Sequence, residues 1–489
     1  MNRRTFLTTT CLATTAGLGS SLLSACQNRK KSLSQLAKDS YQTQLLVIGG
    51  GPAGVCAAIA AARQGIQTLI VESGGCLGGM ATQGLVAPFM TCFDSTGEVQ
   101  VIRGLFEEIV QRMVALGGAI HPSKIRATSP YSAWKTAGHD HVTPFDAETL
   151  KFVLDDMCAQ AGVRVLLHAR FVSPIMQGNA IKGAVLLTRS GLENVSAQVV
   201  IDATGDGDVA YSAGVPCVVG NPDTQRIQPA TLFFHINNVD SAALEADVQA
   251  HFHEFHRENG VSYHALHWHV AKAEAAGEWD IARKSVNIYK GVRNDEWAVN
   301  CTRIANIDAT NSESLSKGEV EGRRQVQELL RFFHKYVPGC AEATIKSSAS
   351  TLGIRESRHT RGEAILEAND LLQGIVPEDS ILVASNSVDV HGRNTHNGTE
   401  YRTIEKGQWY GVPYRTLIPL QVENLLVAGR CLSATSDAAG AVRVMPPVMA
   451  MGHAAGLAAT LAVKGHTTPR KVDAADVRKL LLDGGAFLG

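Results

Sequence analysis

Hydrophobic positions fall in short blocks whose period keeps changing along the chain. Leu45-Leu46-Val47-Ile48 is a continuous apolar run that breaks at Gly49-Gly50-Gly51, and an alanine-rich pattern follows from Pro52 to Arg63. Thr68-Leu69-Ile70-Val71 is a second run, ending at Glu72. Apolar runs of this length, bounded by glycine, predict buried strands, and the stretch between them predicts a helix. Further strands are predicted at Val163–Leu167, Gly183–Leu187, Val199–Asp202 and Asn424–Val427, with a strand-like stretch at Gln228–Phe234. Helices are predicted over Gly104–Leu116, Asp146–Gln160, Val320–Tyr336, Pro446–Gly456 and Val472–Leu482. In the second of these Asp146 is the expected N-cap, with Leu150, Val153, Leu154 and Met157 as the buried stripe. Ile120–Thr143 reads as irregular and Ser433–Val444 as a loop. Strands alternating with helices predict an α/β protein with a mostly parallel sheet.

The first turn carries chemistry. Gly49-x-Gly51-x-x-Gly54 sits between a strand and a helix, and Glu72 ends the next strand 72 − 54 = 18 residues on. Gly49 permits the tight turn, Gly51 lets a pyrophosphate approach the backbone, and Gly54 lets the helix pack on the sheet. The helix N-terminus offers free N–H groups and partial positive charge to that pyrophosphate. A carboxylate at Glu72 suits ribose hydroxyls. This context predicts a bound dinucleotide without saying which. Ser73-Gly74-Gly75-Cys76-Leu77-Gly78-Gly79-Met80 is a second glycine-rich loop, expected to lie over it.

Composition narrows the class. The 489 residues are 45% hydrophobic and 19% charged, with net charge −1, so no global charge steers the chain toward nucleic acid. Asn2-Arg3-Arg4-Thr5-Phe6-Leu7 is a twin-arginine pattern followed by a mildly apolar stretch that ends in Leu23-Ser24-Ala25-Cys26, a lipoprotein-like cleavage box. Residues 1–26 are therefore expected to be an export signal and 27–41 a polar tether. Export to the periplasm or cell envelope follows, with membrane attachment only through a lipid on Cys26. Eight cysteines lie beyond the signal without metal-type spacing, and Cys76 is read as a small loop residue in preference to a covalent cofactor attachment point. His251, His253, His256, His264, His267 and His269 crowd one stretch, but their spacings form no metal set, and none is predicted to bind metal.

Near the C-terminal third, Gly353-Ile354-Arg355-Glu356-Ser357-Arg358-His359 concentrates basic residues after an apolar segment. Substrate binding and a structural Arg–Glu network are equally good readings of it. Taken with the fingerprint, Ala203-Thr204-Gly205-Asp206 and Asn424-Leu425-Leu426-Val427-Ala428-Gly429-Arg430, this segment resembles the FAD-dependent oxidoreductase family of glutathione-reductase-like fold. The resemblance spans about Leu45 to Leu482.

The resemblance implies a Rossmann-like FAD-binding domain assembled from residues 42–90, 145–214 and 347–466. A discontinuous α+β substrate domain would come from 91–144 and 215–346, with a C-terminal helix in 467–489. It implies FAD held by Gly49, Gly51, Pro52, Ala53, Gly54, Glu72, Ser73, Gly78, Gly79 and Met80. Ala203, Thr204, Gly205, Asp206, Gly429 and Arg430 would follow, then the helix start Met445-Pro446 at the flavin, where a positive helix end would favour an anionic reduced ring.

The leading expectation is a hydride moved between a small organic substrate and flavin N5. His391 and His359 are the candidate bases, and Arg355, Arg358 and Arg443 the candidate anion holders. Alternatives are a fumarate-reductase-like flavoprotein fed by a partner, or a flavin-binding protein without turnover. No motif names the substrate or the electron acceptor.

Overall fold

The computed structural model describes residues 32–135, 138–222, 227–392 and 398–489; the expected signal, with Cys26, lies outside them. Strands of the three larger sheets are numbered in chain order. Two segments of the chain begin the first two sheets. Lys38–Gln42 (β1) leads into Leu45–Ile48 (β2), and Thr68–Val71 (β3) follows the helix Pro52–Arg63. Arg164–Leu166 (β4), Arg170–Gln177 (β5), Ala180–Thr188 (β6), Gly191–Ser196 (β7) and Val199–Asp202 (β8) come next. Phe234–Asn237 (β9), Asn287–Lys290 (β10), Trp297–Asn300 (β11), Thr344–Ser348 (β12) and Leu425–Val427 (β13) complete the set.

The central sheet runs β13-β8-β2-β3-β4, parallel throughout. Its apolar runs have no polar alternation because both faces are covered: β2, β3, β8 and β13 are buried at every position. A second sheet, β1-β7-β6-β5, is antiparallel except at β1. A third, β10-β11-β9-β12, is antiparallel and carries its own apolar core, which includes Phe234, Ile288, Trp297 and Phe333.

Two helices that flank the central sheet meet through glycines. Helix propensity favours alanine over glycine by about 1 kcal/mol. Yet Gly452 and Gly456 stand inside the helix Met445–Lys464, where a Cβ would lie 2.0 Å from Ala53 O and 2.2 Å from Ala57 O of the first helix. The contacts Ala53–Gly452 and Ala57–Gly456 run in the same direction, so the two helices are parallel. Counting residues at 1.5 Å of rise, the later helix starts about 9 Å before the Pro52–Arg63 helix along their common direction, so its N-terminus projects beyond the other. It has the length and apolarity of a membrane span, but 89% of that stretch is buried inside the protein, which makes it a core helix.

Four expectations need correction. From Ser32 the polar stretch is folded, with a short helix at Leu33–Leu36 and then β1, which pairs with β7 and exchanges side-chain bonds through Ser40–Glu193 and Asp39–Asn194. An edge strand with both faces polar has no alternation to read. Ser436–Val442 is a helix capped by Thr435; its small residues lack an apolar period, and Gly440 sits where a Cβ would meet Asp389 O at 2.8 Å. The Val320–Tyr336 helix begins at Ser312, capped by Asn311; Gly318 and Gly322 mask it in sequence, packing instead on Leu352 and Leu232. The stretch Gln228–Phe234 forms only isolated bridges at Ala230 and Thr231 before β9 begins at Phe234.

Candidate active site

A cavity of about 1240 Å³ runs from the first βα turn to the face of the third sheet. Small-ligand pockets usually hold roughly 300–1,000 Å³, so there is room for a dinucleotide and a substrate together. Its two ends are built differently.

At the first end the walls are backbone. Gly49 takes φ +104°, and a Cβ there would meet Ala203 O at 2.4 Å. A Cβ on Gly54 would lie 1.9 Å from Gly49 O, whereas one on Gly51 would meet nothing within 4 Å. Gly51 thus faces open cavity while its neighbours are packed, as a cradle for a pyrophosphate requires. Pro52 and Ala53 follow it along the wall. The second glycine loop is tied to the first: Gly78 N–H donates to Gly50 O at 2.8 Å, and a Cβ on Gly79 would approach Gly51 Cα at 2.9 Å. Glu72 accepts from Gly50 N–H (2.8 Å) and Gly74 N–H (2.7 Å) and from the Ser73 hydroxyl, joining both loops while lining the cavity. Gly79 and Met80 line it as well; Gly54 and Gly78 are packed behind the wall. Cys76 is also off the wall, its thiol 3.7 Å from the Thr82 hydroxyl.

The middle is assembled from distant segments. Buried Asp202 ends β8, and burial pushes its carboxyl up to about 6 against the bonds it accepts. It holds the Ala203–Asp206 turn through Thr204 N–H and Oγ1 and caps the next helix through Ala210 N–H. Asp206 then accepts from Arg430 Nη2 and from Ser357 Oγ, both at 2.7 Å, and Ser357 accepts from Arg430 Nη1. Thr204, Gly205, Gly429 and Arg430 all line the cavity. Met445 opens the later helix on the same wall, with Pro446 just behind it. Both parallel helices therefore present their N-termini to the cavity, the second further along. These backbone walls, the Gly51 opening and the two helix starts fit a dinucleotide stretched along them.

The far end is made of charged side chains. Asp389 and His391 share one short strand, Val388–His391, with 3.3 Å between the carboxylate and Nε2. His391 Nδ1 lies 2.8 Å from the Thr399 hydroxyl. Burial, helped by the Arg355 and Arg283 guanidiniums, pushes the imidazole down to about 3 despite Asp389. It is therefore neutral at ordinary pH. Burial alone would raise Asp389, but His391, Arg443 and Lys135 outweigh it and hold the carboxyl well below its usual range. Arg355 is pushed well down by burial and by the neighbouring Arg443, Arg283 and Arg303; its Nη1 donates to Pro229 O and Thr231 Oγ1. Arg443 Nη2 donates to Gln228 Oε1 and Asp389 O, both at 3.2 Å. Burial lowers Arg303 to about 10 and Lys135 to about 8.

Two sequence candidates fall elsewhere. Arg358 lines the cavity on the dinucleotide side, with its guanidinium on Asp208 Oδ1 (2.8 Å) and over the Tyr211 ring. His359 lies off the wall, buried, 3.3 Å from Glu356. Conversely, Lys135, Arg283, Arg303 and Asp389 are cavity residues that sequence reasoning did not single out as site residues. They come from segments far apart in the chain, and no local spacing joins them. Within the histidine-rich stretch His251 stacks on Trp268, His256 stacks on Tyr263 and His269 Nε2 lies 2.9 Å from Asp247; no metal-holding group occurs among the described residues.

A parallel sheet with a glycine-walled dinucleotide cavity at its strand ends defines a nucleotide-cofactor protein of Rossmann type. Residues 44–481 match the FAD dependent oxidoreductase family, and the chain belongs to it. It is thus an FAD-dependent oxidoreductase. Among curated proteins it is similar to digeranylgeranylglycerophospholipid reductases. It is 26% identical over 191 residues to that of Methanoculleus marisnigri, covering 37% of this chain and 43% of the relative. It is 25% identical over 257 residues to that of Methanospirillum hungatei, covering 51% and 55%. The match thus spans only about half, or less, of those relatives' length. Among solved structures, a geranylgeranyl bacteriochlorophyll reductase-like protein from Thermoplasma acidophilum aligns at 16% identity and a TM-score of 0.42, covering 92% of this chain and 84% of that one.

Proposed function

We propose that the enzyme acts on a small carboxylate, with a hydride passing between a substrate C–H and N5 of the FAD. The observation that carries this reading is the far end of the cavity, where, among the described residues, Lys135, Arg283, Arg303, Arg355 and Arg443 surround the single carboxylate of Asp389. Burying that much like charge is unfavourable unless a ligand supplies the opposite sign. In the direction of oxidation, His391 is the base. The substrate proton passes to the Thr399 hydroxyl as that hydroxyl gives its own proton to His391 Nδ1. Asp389 on Nε2 then stabilises the imidazolium. Arg355 and Arg443 hold charge developing on the substrate. Gly49, Gly51 and Gly79 would hold the FAD pyrophosphate by backbone, and Asp206 and Arg430 line the same wall further along. An apolar prenyl chain, the kind of substrate in the relatives' names, does not suit this wall.

The domain division given by the sequence is part of the same reading, as is the glutathione-reductase-like subtype. We further propose that the twin-arginine leader exports the folded, FAD-loaded protein to the cell envelope and that Cys26 carries a lipid. Labelling with radioactive palmitate, lost in a Cys26→Ser variant, tests the anchor.

The function is tested by anaerobic bleaching of the bound flavin with a panel of short carboxylates, neutral alcohols and a prenyl lipid. Bleaching by one or more carboxylates is expected. Bleaching by the alcohols or the lipid alone would overturn the reading.

A further inference from the structure

We infer that the substrate carries hydroxyl groups beside its acid group, and that Asn287 and Asn300 on the third sheet read them. This rests on the anionic-substrate reading above. The two asparagines are register partners on adjacent antiparallel strands, β10 and β11. Directly opposed residues point to the same face with Cβ atoms roughly 4.5–5.5 Å apart. Both line the cavity, and the Oδ1 atoms of both are buried without a hydrogen-bond partner. Asn287 is only 7% exposed. An unfilled buried acceptor has lost its water without gaining a donor, so two side by side on a cavity wall point to a ligand that fills them.

The pair belongs to the charged end of the cavity. Tyr289, two residues along the same strand and hence on the same face, feels the charges of Arg283, Asp389 and Arg355. His264 also lines this region; its Nδ1 has no partner, and burial, aided by Lys135 and Arg283, holds the ring neutral. Arg283 adds a buried Nε–H with nothing to receive it.

The surroundings choose the ligand chemistry. The amide oxygens need donors. An ammonium would donate, but five cations exclude it. A hydroxyl is neutral, donates to an amide oxygen and accepts from a guanidinium, so it satisfies both unfilled sets at once. The substrate class is therefore a hydroxylated carboxylate, with its acid on the arginines and one or more hydroxyls toward β10 and β11. Sites built to bond a hydroxyl discriminate strongly against analogues that lack it, because their own polar groups are then left unpaired.

The test measures calorimetric affinities of the FAD-loaded enzyme for matched pairs: gluconate and hexanoate, tartrate and succinate, lactate and propionate. At least one hydroxylated member should bind about tenfold tighter or more than its partner, the worth of roughly one hydrogen bond. Asn287→Leu should bring that ratio near one. Asn300→Leu carries the same test should the first variant fail to fold, with the flavin spectrum as the check on folding. Ratios near one for every pair in the wild type, while carboxylates bind, would overturn this inference and leave the anionic reading standing. A ratio that survives both substitutions would overturn it as well. If no carboxylate of either kind binds and neutral compounds do, the anionic reading falls and takes this one with it.

Discussion

The two ends of the cavity solve recognition in opposite ways. Around the central parallel sheet the wall is main chain: Gly49, Gly51, Gly79 and Gly429 bring backbone to the surface, and two parallel helices present their N-termini. Around the third sheet the wall is side chain, with Arg283, Arg303, Arg355, Arg443 and Asp389 converging from separate segments. A backbone wall recognises what is common to a cofactor, namely phosphate charge and ribose, and tolerates no added side chain. A side-chain wall recognises what is particular to a substrate and can be changed one residue at a time. Substitutions in the first region should therefore damage folding or flavin content. Those in the second should alter kinetics while the protein stays yellow.

The strongest challenge to this contrast is at the helix contact. Gly452→Val places carbon atoms against Ala53 O, where even a Cβ lies at 2.0 Å, and should give no soluble flavoprotein. Recovery of yellow protein with a normal melting curve would break the packing argument. Gly51→Val tests the cradle itself, because the new side chain enters open cavity. The apoprotein should fold, while FAD affinity falls roughly 10- to 100-fold, as a 1–3 kcal/mol overpacking cost implies. Fluorescence titration with FAD reads this.

On the side-chain end, His391→Gln should retain flavin and lower the rate of substrate-dependent flavin reduction by about 10²- to 10⁴-fold, the usual worth of a general base. An unchanged rate in stopped-flow would remove His391 from the mechanism.

The smallest effect concerns His453, in the helix Met445–Lys464, which belongs to the backbone end. Burial, with Arg63 nearby, pushes its imidazole down to about 4. Between pH 6.5 and 4 the unfolded chain binds a proton that the folded one does not, so stability is full above 6.5 and is lost as pH falls. At pH 5 the loss is about 2 kcal/mol at 1.36 kcal/mol per unit. His453→Leu should therefore flatten the fall in Tm between pH 7 and pH 5, as read by calorimetry. An equal fall in both proteins would reject this assignment.

What could be read from the sequence follows the same division. The fingerprint packs Gly49, Gly51, Gly54 and Glu72 into one local unit, so spacing alone reports it. Asp206 and Arg430 were legible because each lies in the glycine turn just after a recognisable strand. The side-chain wall was not. Asn287 and Asn300 are thirteen residues apart, since 300 − 287 = 13, and only strand register makes them neighbours. Lys135 sits in a stretch without periodicity. His359 misled because it shares a segment with Arg355, yet its side chain turns from the cavity toward Glu356. Sequence proximity carries chemistry where the backbone is the ligand, and loses it where folding gathers the side chains.

The most direct test of the division is Arg283→Gln, prepared as FAD-loaded protein and reduced anaerobically with a carboxylate that bleaches the wild type. Arg283 lines the charged end and has a buried Nε–H without a partner. The account predicts full flavin content and a half-saturating carboxylate concentration raised by about tenfold or more, since bonds to charged groups are worth about 1.5–3 kcal/mol. Loss of flavin from the variant, or half-saturation at the wild-type concentration, would contradict it.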